Sequence, residues 1–362
     1  MKISVKSVLV IILLAFNQLS IAQTNEEKAY EKGMKAIELM DKGKIEESIT
    51  LLEEAQKLDP NRFDYPYELA YAHYLQKDYK GAIKILEKVE KHKDATAQLF
   101  QLLGNSYDNI GKPEDAIEMY EKGIKKFPDA GNLYLEMGIM QMGLKEYNKA
   151  LEYYEKGIEV HPQFPSNYYW AAKIFCSSSE EVWGMIYGEI FMNLERNSKR
   201  TVEISKLLYD TYNSEIQFTS DTTISYSFSQ NATINIGNLS DPTKFKLPYG
   251  IGVYEPTLML SLLSVRATDI NSLDTIRSIF VDSYFSNKHN ESYPNPLFSY
   301  QKQIKDAGHM ESYNHWILMQ GDLDGFDKWY AANENKYDNF IKWFEENAME
   351  INEENKFYRA QY

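Results

Sequence analysis

The sequence predicts a mostly α-helical protein, in which an array of helical hairpins is followed by an α+β module with a small antiparallel β-meander. Two patterns carry this prediction. Small, aliphatic and aromatic residues recur at a spacing of about 34 residues through the first half of the chain, which is typical of helical repeat proteins. Apolar and polar residues then alternate between positions 216 and 236, which is typical of half-buried β-strands.

The clearest repeat lies between residues 100 and 128. Its characteristic residues are Phe100, Leu103, Gly104, Tyr107, Gly111, Ala116, Tyr120 and Pro128. Because Gly104 and Ala116 are small, the two predicted helices can approach each other closely. Pro128 cannot continue a helix and therefore ends the unit.

The same spacing recurs upstream and downstream of this repeat. Matching residues stand at Ala36, Leu39, Gly43, Leu52, Ala55 and Pro60; at Leu69, Ala70, Ala82 and Leu86; at Tyr134, Met137, Gly138, Ala150, Tyr154 and Pro162; and at Tyr168, Ala171, Ala172, Phe175, Gly184 and Gly188. Such self-similarity over five units favours a repeat array over a generic helical bundle. A helix predicted over 198–212 follows the fifth unit and is expected to cap the array.

This spacing resembles the tetratricopeptide repeat (TPR) over residues 29–195, with Phe100 in place of the usual tryptophan. The resemblance implies a right-handed superhelix whose concave groove is lined by the first helix of each hairpin. Members of the family generally use that groove to hold a peptide or protein segment.

Helix periodicity indicates which side chains would line the groove, because the stripe beside the core stripe of each first helix faces it. The predicted groove residues are Tyr67, Tyr71, Tyr74, Gln98, Gln101, Asn105, Asp108, Leu135, Ile139, Met142, Tyr169 and Lys173. Tyrosine and amide side chains suit contacts to an extended peptide, since they supply both area and hydrogen bonds. Two occupants are open at this point: a protein or peptide partner, or the protein's own C-terminal module.

One TPR subtype is excluded by its recognition residues. TPR domains that bind chaperone C-termini hold the terminal carboxylate with lysine, arginine and asparagine on this stripe. Asn105 matches that pattern, but Gln98, Gln101 and Leu135 stand where basic residues are needed. Capture of a carboxylate, which depends on charge-assisted hydrogen bonds, is therefore not expected.

The start of the chain, at positions 1–22, has the pattern of a secretory signal peptide. Lys2 and Lys6 precede a short apolar run at 8–16, and the small residues at 20–22 suit cleavage before Gln23. The run is too short to span a bilayer, although an uncleaved N-terminal anchor is the alternative. We therefore expect an exported bacterial protein, periplasmic or extracellular, with no membrane span after signal removal.

The overall charge excludes some classes of partner. The formal net charge is −14 at neutral pH, which argues against binding to nucleic acid or to an anionic membrane surface. Cys176 is the only cysteine, so no intramolecular disulfide can form.

The C-terminal half is predicted as a separate module. The expected division is a signal peptide at 1–22, five hairpins with a capping helix at 23–213, and an α+β module at 214–362. Within the module we expect the meander at about 215–237, a linker at 246–250, and helices at 255–265, 271–285, 301–320 and 324–347, the last with Asp324 as its N-cap.

No cofactor is expected, because the sequence lacks a complete cofactor or nucleophile motif. The candidate metal ligands are Glu311 and His315, which share a helix face at a spacing that could bind a metal ion. A surface hydrogen-bonded pair is the alternative for these two residues. His309 lies nearby but points elsewhere on the helix.

These observations favour an exported, non-enzymatic scaffold that binds a protein or peptide segment in the TPR groove. The first alternative is an enzyme or metal-binding C-terminal module to which the repeats recruit substrate, with His309, Glu311 and His315 as its residues. A surface component that binds glycans or nutrients is the second alternative.

Overall fold

The computed structural model describes residues 24–220, 223–230 and 247–362. This part of the chain is mostly helical and contains one small antiparallel sheet, as the sequence predicts. The predicted signal peptide at 1–22 lies outside the described residues. None of the helices in the described ranges is both long enough and apolar enough to cross a lipid bilayer.

Ten helices form five consecutive hairpins in the described part of the chain. They are α1 (Asn25–Asp41), α2 (Ile45–Leu58), α3 (Asp64–Leu75), α4 (Tyr79–Val89), α5 (Ala97–Asn109), α6 (Pro113–Lys126), α7 (Gly131–Gly143), α8 (Tyr147–Val160), α9 (Pro165–Phe175) and α10 (Glu181–Leu194). The five hairpins correspond to the five repeats that the sequence predicts.

The backbone of the turns follows the same repeat period as the side chains. A residue with positive φ ends the first helix of each of the first four hairpins: Gly43, Lys77, Gly111 and Lys145, at 72°, 64°, 77° and 61°. In the third hairpin, for example, Lys112 N donates to Tyr107 O at 3.0 Å and Gly111 N donates to Asp108 O at 2.9 Å. This pair of bonds satisfies carbonyl groups at the end of the helix. The turn conformation is therefore retained even where lysine replaces glycine.

The close approach within a hairpin depends on matched residue sizes. A Cβ atom added to Gly104 would lie 2.2 Å from Cε1 of Tyr120, and one added to Gly138 would lie 2.2 Å from Cε1 of Tyr154. In the second hairpin the equivalent positions hold Ala70 and Leu86. A larger residue on the first helix is thus matched by a smaller one on the second, which keeps the interior densely packed.

The tyrosines at these two equivalent positions differ in their hydrogen bonds. Tyr120 Oη donates to Oδ1 of Asn105, whereas the buried Tyr154 Oη has no hydrogen-bond partner among the described residues. Ile139 occupies the position of the next repeat that is equivalent to Asn105, so the fourth hairpin has no amide there. A buried hydroxyl without a partner lowers the stability of the folded protein.

We expect Asn105→Ile to lower the free energy of unfolding by about 1 kcal/mol, because it removes the acceptor of the Tyr120 hydroxyl. The reverse change, Ile139→Asn, offers an acceptor to Tyr154 and is expected to raise the stability by a similar amount. Urea denaturation followed by circular dichroism measures both changes, with the exposed Gln98→Ile as the control. Equal losses for Asn105→Ile and Gln98→Ile would contradict the assignment.

Helix α11 (Lys199–Glu215) continues the period of the first helices, because α7, α9 and α11 begin at Gly131, Pro165 and Lys199. Strand β1 (Ile216–Ser220) then begins where the second helix of a sixth hairpin would be expected. Strand β2 (Thr223–Tyr226) pairs with it antiparallel, with Ile216 opposite Tyr226. These are two strands of the predicted meander; its third strand, at 234–236, lies outside the described residues.

The remaining helices follow this sheet. A π-helical turn (Gly250–Tyr254) leads into α12 (Glu255–Leu262), and the later helices are α13 (Ile270–Ser286), α14 (His289–Ser292), α15 (Pro296–Asp306), α16 (Met310–Leu318) and α17 (Leu323–Glu346).

Three details of the C-terminal half were predicted wrongly. The helix expected at 301–320 is two helices, α15 and α16, because Gly308 adopts φ 79° and ends the first one. The N-cap of α17 is Asp322, whose Oδ1 accepts from Gly325 N at 2.9 Å, and not Asp324. The segment expected to be a linker contains Tyr249, which is 1% exposed because it packs among other aromatic rings.

The chain divides into two compact units. We call residues 24–123 unit 1 and residues 124–362 unit 2. In unit 2, the hairpins α7–α8 and α9–α10 share one hydrophobic core with the C-terminal helices, from Leu135 to Phe357. Helix α11 contributes Ile204, Leu208 and Tyr212 to that core. The predicted domain division at residue 214 remains a prediction from the sequence.

Candidate partner-binding surfaces

The predicted groove residues divide between the two compact units. We call the set in unit 1 the unit 1 face: Tyr67, Tyr71, Tyr74, Gln98, Gln101, Asn105 and Asp108 on α3 and α5. We call the set in unit 2 the unit 2 face: Leu135, Ile139, Met142, Tyr169 and Lys173 on α7 and α9. Each face is described separately below.

The three tyrosines of the unit 1 face differ in exposure, and two of them contact neighbouring rings. Tyr71 is 39% exposed, and Tyr67 and Tyr74 are half-buried. Tyr67 stacks on Phe63 with ring centroids 5.9 Å apart, and Tyr74 meets the ring of Tyr79 edge-on at 5.2 Å. Burial, with a smaller contribution from the neighbouring Glu68 and Tyr71, raises the pKa of Tyr67 to about 12. Tyr67 is therefore neutral at physiological pH, and the rings of Tyr67 and Tyr74 are held in place by their neighbours.

Exposed apolar side chains that the sequence prediction missed accompany these tyrosines. Met34 on α1 is 51% exposed and Leu75 on α3 is 41% exposed, and α1 packs beside α3. Exposed apolar area of this kind marks an interaction site when it is contiguous. Met34 is the repeat equivalent of Glu68, and neither position belongs to the stripe that helix periodicity selected, so the groove prediction did not include it.

Glu68 is a second residue that the sequence prediction missed. It lies one position after Tyr67 and is half-buried. Burial, together with the negative charges of Asp64 and Asp41, raises the pKa of its carboxyl group above the ordinary value. Within the described ranges, its carboxylate has neither an ion pair nor a hydrogen bond. This is an unusual state for a half-buried charge.

The amide part of the unit 1 face is partly engaged in internal bonds. Oδ1 of Asn105 accepts from Tyr120 Oη, and the backbone O of Asn105 accepts from Asn109 Nδ2 at 2.7 Å. Gln98 and Asp108 are exposed, and Gln101 is half-buried. Gln98 and Asp108 thus present the most accessible polar side chains of this face.

The unit 2 face offers less open surface than its residue types indicate. Leu135 is 8% exposed and Tyr169 is 6% exposed. Tyr169 Oη donates to Glu203 of helix α11, and Lys173 Nζ forms an ion pair with the same carboxylate at 2.6 Å. Helix α11 therefore covers both residues, which the sequence prediction treated as groove residues. Ile139 is 38% exposed and Met142 is half-buried.

The end of the chain contacts the second helices of the hairpins in unit 2. Arg359 forms a two-pronged ion pair with Glu155 of α8, with its shortest contact at 2.6 Å, and Arg359 N donates to Tyr187 Oη of α10 at 2.9 Å. Lys356 Nζ donates to the backbone O of Glu159 at 3.0 Å. These contacts lie on second helices, whereas the unit 2 face lies on the first helices α7 and α9.

The candidate metal ligands do not come together as a metal site. Glu311 accepts from Trp329 Nε1 at 2.6 Å and pairs with Lys336. His315 is 1% exposed and stacks on Trp329 with ring centroids 3.9 Å apart, and its Nε2 lies 3.2 Å from Asn271 Oδ1. His315 and Glu311 are hydrogen-bonded, with Nδ1 of His315 2.8 Å from the backbone O of Glu311, but they do not form the surface pair given as the alternative, because His315 is buried. Among the described residues, no three His, Cys, Asp or Glu side chains form a possible metal cluster.

Comparisons with known proteins bear on the repeat region. A family model described as "Tetratricopeptide repeat" matches residues 102–167, and one described as "Anaphase-promoting complex, cyclosome, subunit 3" matches residues 41–123. A search of curated proteins found no match.

Several solved structures resemble about half of this chain. The pilF protein of Pseudomonas aeruginosa is 18% identical, with 52% of this chain and 86% of that chain covered and a TM-score of 0.45. A TPR protein of Thermus thermophilus is 16% identical, with 50% of this chain and 98% of that chain covered and a TM-score of 0.42. YrrB, described as a TPR protein with an unusual peptide-binding site, is 15% identical, with 48% and 90% covered and a TM-score of 0.34.

Proposed function

From the premise that this chain is a tetratricopeptide-repeat protein, we propose that it is a non-enzymatic scaffold that holds a protein or peptide segment on the unit 1 face. The observation that carries the proposal is the exposure of apolar side chains on neighbouring first helices: Tyr71, Met34 and Leu75, at 39%, 51% and 41%. First helices are also the elements that TPR proteins generally use for binding.

The unit 1 face suits an extended peptide for a physical reason. Tyr67 and Tyr74 are already held by ring contacts, so binding orders fewer side chains and costs less conformational entropy. Tyrosine is enriched among residues that dominate binding energy, since it combines a large apolar area with a hydrogen-bonding hydroxyl. The unit 2 face is a weaker candidate, because α11 already covers Tyr169 and Lys173.

The test is selection from a displayed library of short random peptides against the full chain. We expect the wild type to enrich a set of related peptides. Tyr71→Ala combined with Met34→Ala should weaken their binding at least tenfold, about the effect of losing one dominant contact residue. Fluorescence anisotropy of a labelled selected peptide measures this loss.

The matched control is Tyr147→Ala, because Tyr147 on α8 is also exposed, at 49%, but lies on a second helix. Its binding should equal that of the wild type, and neither variant should change the melting temperature by more than a few degrees. Peptides that bind the Tyr71 and Met34 double variant as tightly as the wild type would refute the proposal.

A further inference from the structure

The unit 1 face contains one charged residue, which is acidic, and two further acidic residues lie close to it in the repeat. Asp108 belongs to the face, Glu68 lies directly beside Tyr67, and Asp64 is the equivalent of Gln98 one repeat upstream. None of the residues that define the face, or their equivalents on α1, is a lysine or arginine. Arg62 lies over the ring of Tyr30 on α1 but is paired with Asp64. The charges that act on Glu68 are the carboxylates of Asp64 and Asp41, so the surroundings of Glu68 are acidic.

Asp64 and Glu68 differ in whether a basic side chain of the described residues neutralises them. Asp64 pairs with Arg62 at 2.7 Å, but within the described parts of the chain the carboxylate of Glu68 has no basic partner. It lies between Tyr67 and the buried Leu69 on the same helix. A charge that is partly removed from water and unpaired gains stability when a cation approaches it.

Charged residues on α9 and α11 of unit 2 show that an unpaired charge is not a general property of this fold. Lys173 on α9 is paired with Glu203 at 2.6 Å. Arg200 on α11 is likewise paired with Glu195, its Nε lying 2.9 Å from Oε1. Lys173 and Arg200 are thus paired within the chain, whereas Glu68 has no ion pair in the part of the chain that the structure describes.

We propose that the segment bound by the unit 1 face is cationic: an extended peptide of another protein that places a lysine or arginine beside Glu68 and an apolar side chain against Tyr71 and Met34. The inference rests on the proposed binding function and specifies its partner. Complementary charge favours such a peptide and, because like charges repel, disfavours an acidic one.

The experiment analyses the peptides selected from the random library in the presence of 0.15 M salt, roughly the physiological ionic strength. We expect the peptides whose binding depends on Tyr71 to contain an excess of lysine and arginine next to apolar residues. Glu68→Gln should then lower the affinity of the protein for a selected cationic peptide about tenfold. Glu121→Gln removes the same charge from an exposed position on the second helix α6 and should leave the affinity unchanged.

The possible outcomes separate this inference from the proposed function. Selected peptides that depend on Tyr71 but are neutral or acidic would overturn the cationic partner and leave the binding function intact. Equal effects of Glu68→Gln and Glu121→Gln would show that attraction is due to the overall charge of the protein, and would also overturn it. If no selected peptide depends on Tyr71, or if wild-type self-association depends on Tyr71, both proposals fail.

Discussion

Replacing Arg277 with methionine is expected to lower the free energy of unfolding of unit 2 by about 3–5 kcal/mol, because it leaves a buried carboxylate without its counter-charge. Arg277 on α13 and Glu189 on α10 are each 4% exposed. The guanidinium meets the carboxylate with both of its terminal nitrogens, at 2.5 and 2.9 Å. Such a pair supports the folded state mainly because each charge compensates for the desolvation of the other.

Further hydrogen bonds connect this pair to two more helices. Gln301 of α15 and Tyr313 of α16 donate to Oε1 of Glu189 at 2.6 and 2.8 Å. Nε of Arg277 donates to Asn314 Oδ1 at 2.7 Å. The network therefore joins the last repeat hairpin of unit 2 to its C-terminal helices, and its loss should weaken that connection.

Tryptophan fluorescence during urea denaturation measures this effect selectively. All five tryptophans, at positions 170, 183, 316, 329 and 343, belong to unit 2. The control is the double variant Arg277→Met with Glu189→Gln, which removes both charges and should recover most of the lost stability. A double variant as unstable as Arg277→Met alone would show that the cost arises from packing and not from the unpaired charge.

Replacing Gly104 with alanine is expected to lower the stability of unit 1 by roughly 1–3 kcal/mol, because the added methyl group overfills a packed site. Its Cβ atom would lie 2.2 Å from the ring of Tyr120, which is 1% exposed and has little room to move. The direction of this change in stability is informative, since glycine-to-alanine changes at open helix positions usually stabilise a protein by about 1 kcal/mol.

The compensating change is Tyr120→Leu, which would recreate in the third hairpin the Ala70 and Leu86 pair of the second. We expect the double variant Gly104→Ala with Tyr120→Leu to be more stable than the sum of the single effects predicts. Circular dichroism follows the unfolding of the helices. The control is Gly143→Ala, because no neighbouring atom lies within 4 Å of a Cβ at that position. Additive effects of the two substitutions would argue against size matching.

The candidate site was only partly predictable from the sequence. Periodicity placed Tyr71 on an accessible face of α3, and the structure shows it 39% exposed. The same argument selected Tyr169, which is 6% exposed because α11 covers it. A helical period shows which residues share a face, but it contains no information about a second element that packs against that face.

The sequence by itself determined the hairpins and their turns. Their contacts are local: residues such as Gly104 and Tyr120 are close in the chain, and the residues that close each turn are closer still. Contacts between near neighbours produce a periodic pattern in the sequence, which can be recognised without a structure.

The tertiary structure alone decided which charges are satisfied. Glu189 and Arg277 meet across 88 residues, and neither residue type nor spacing indicates that they pair. The same holds for the contrast between Lys173, which is paired with Glu203, and Glu68, which has no ion pair among the described residues. Partners brought together from distant parts of the chain obey no local spacing, so only the packed structure shows which charges have a partner.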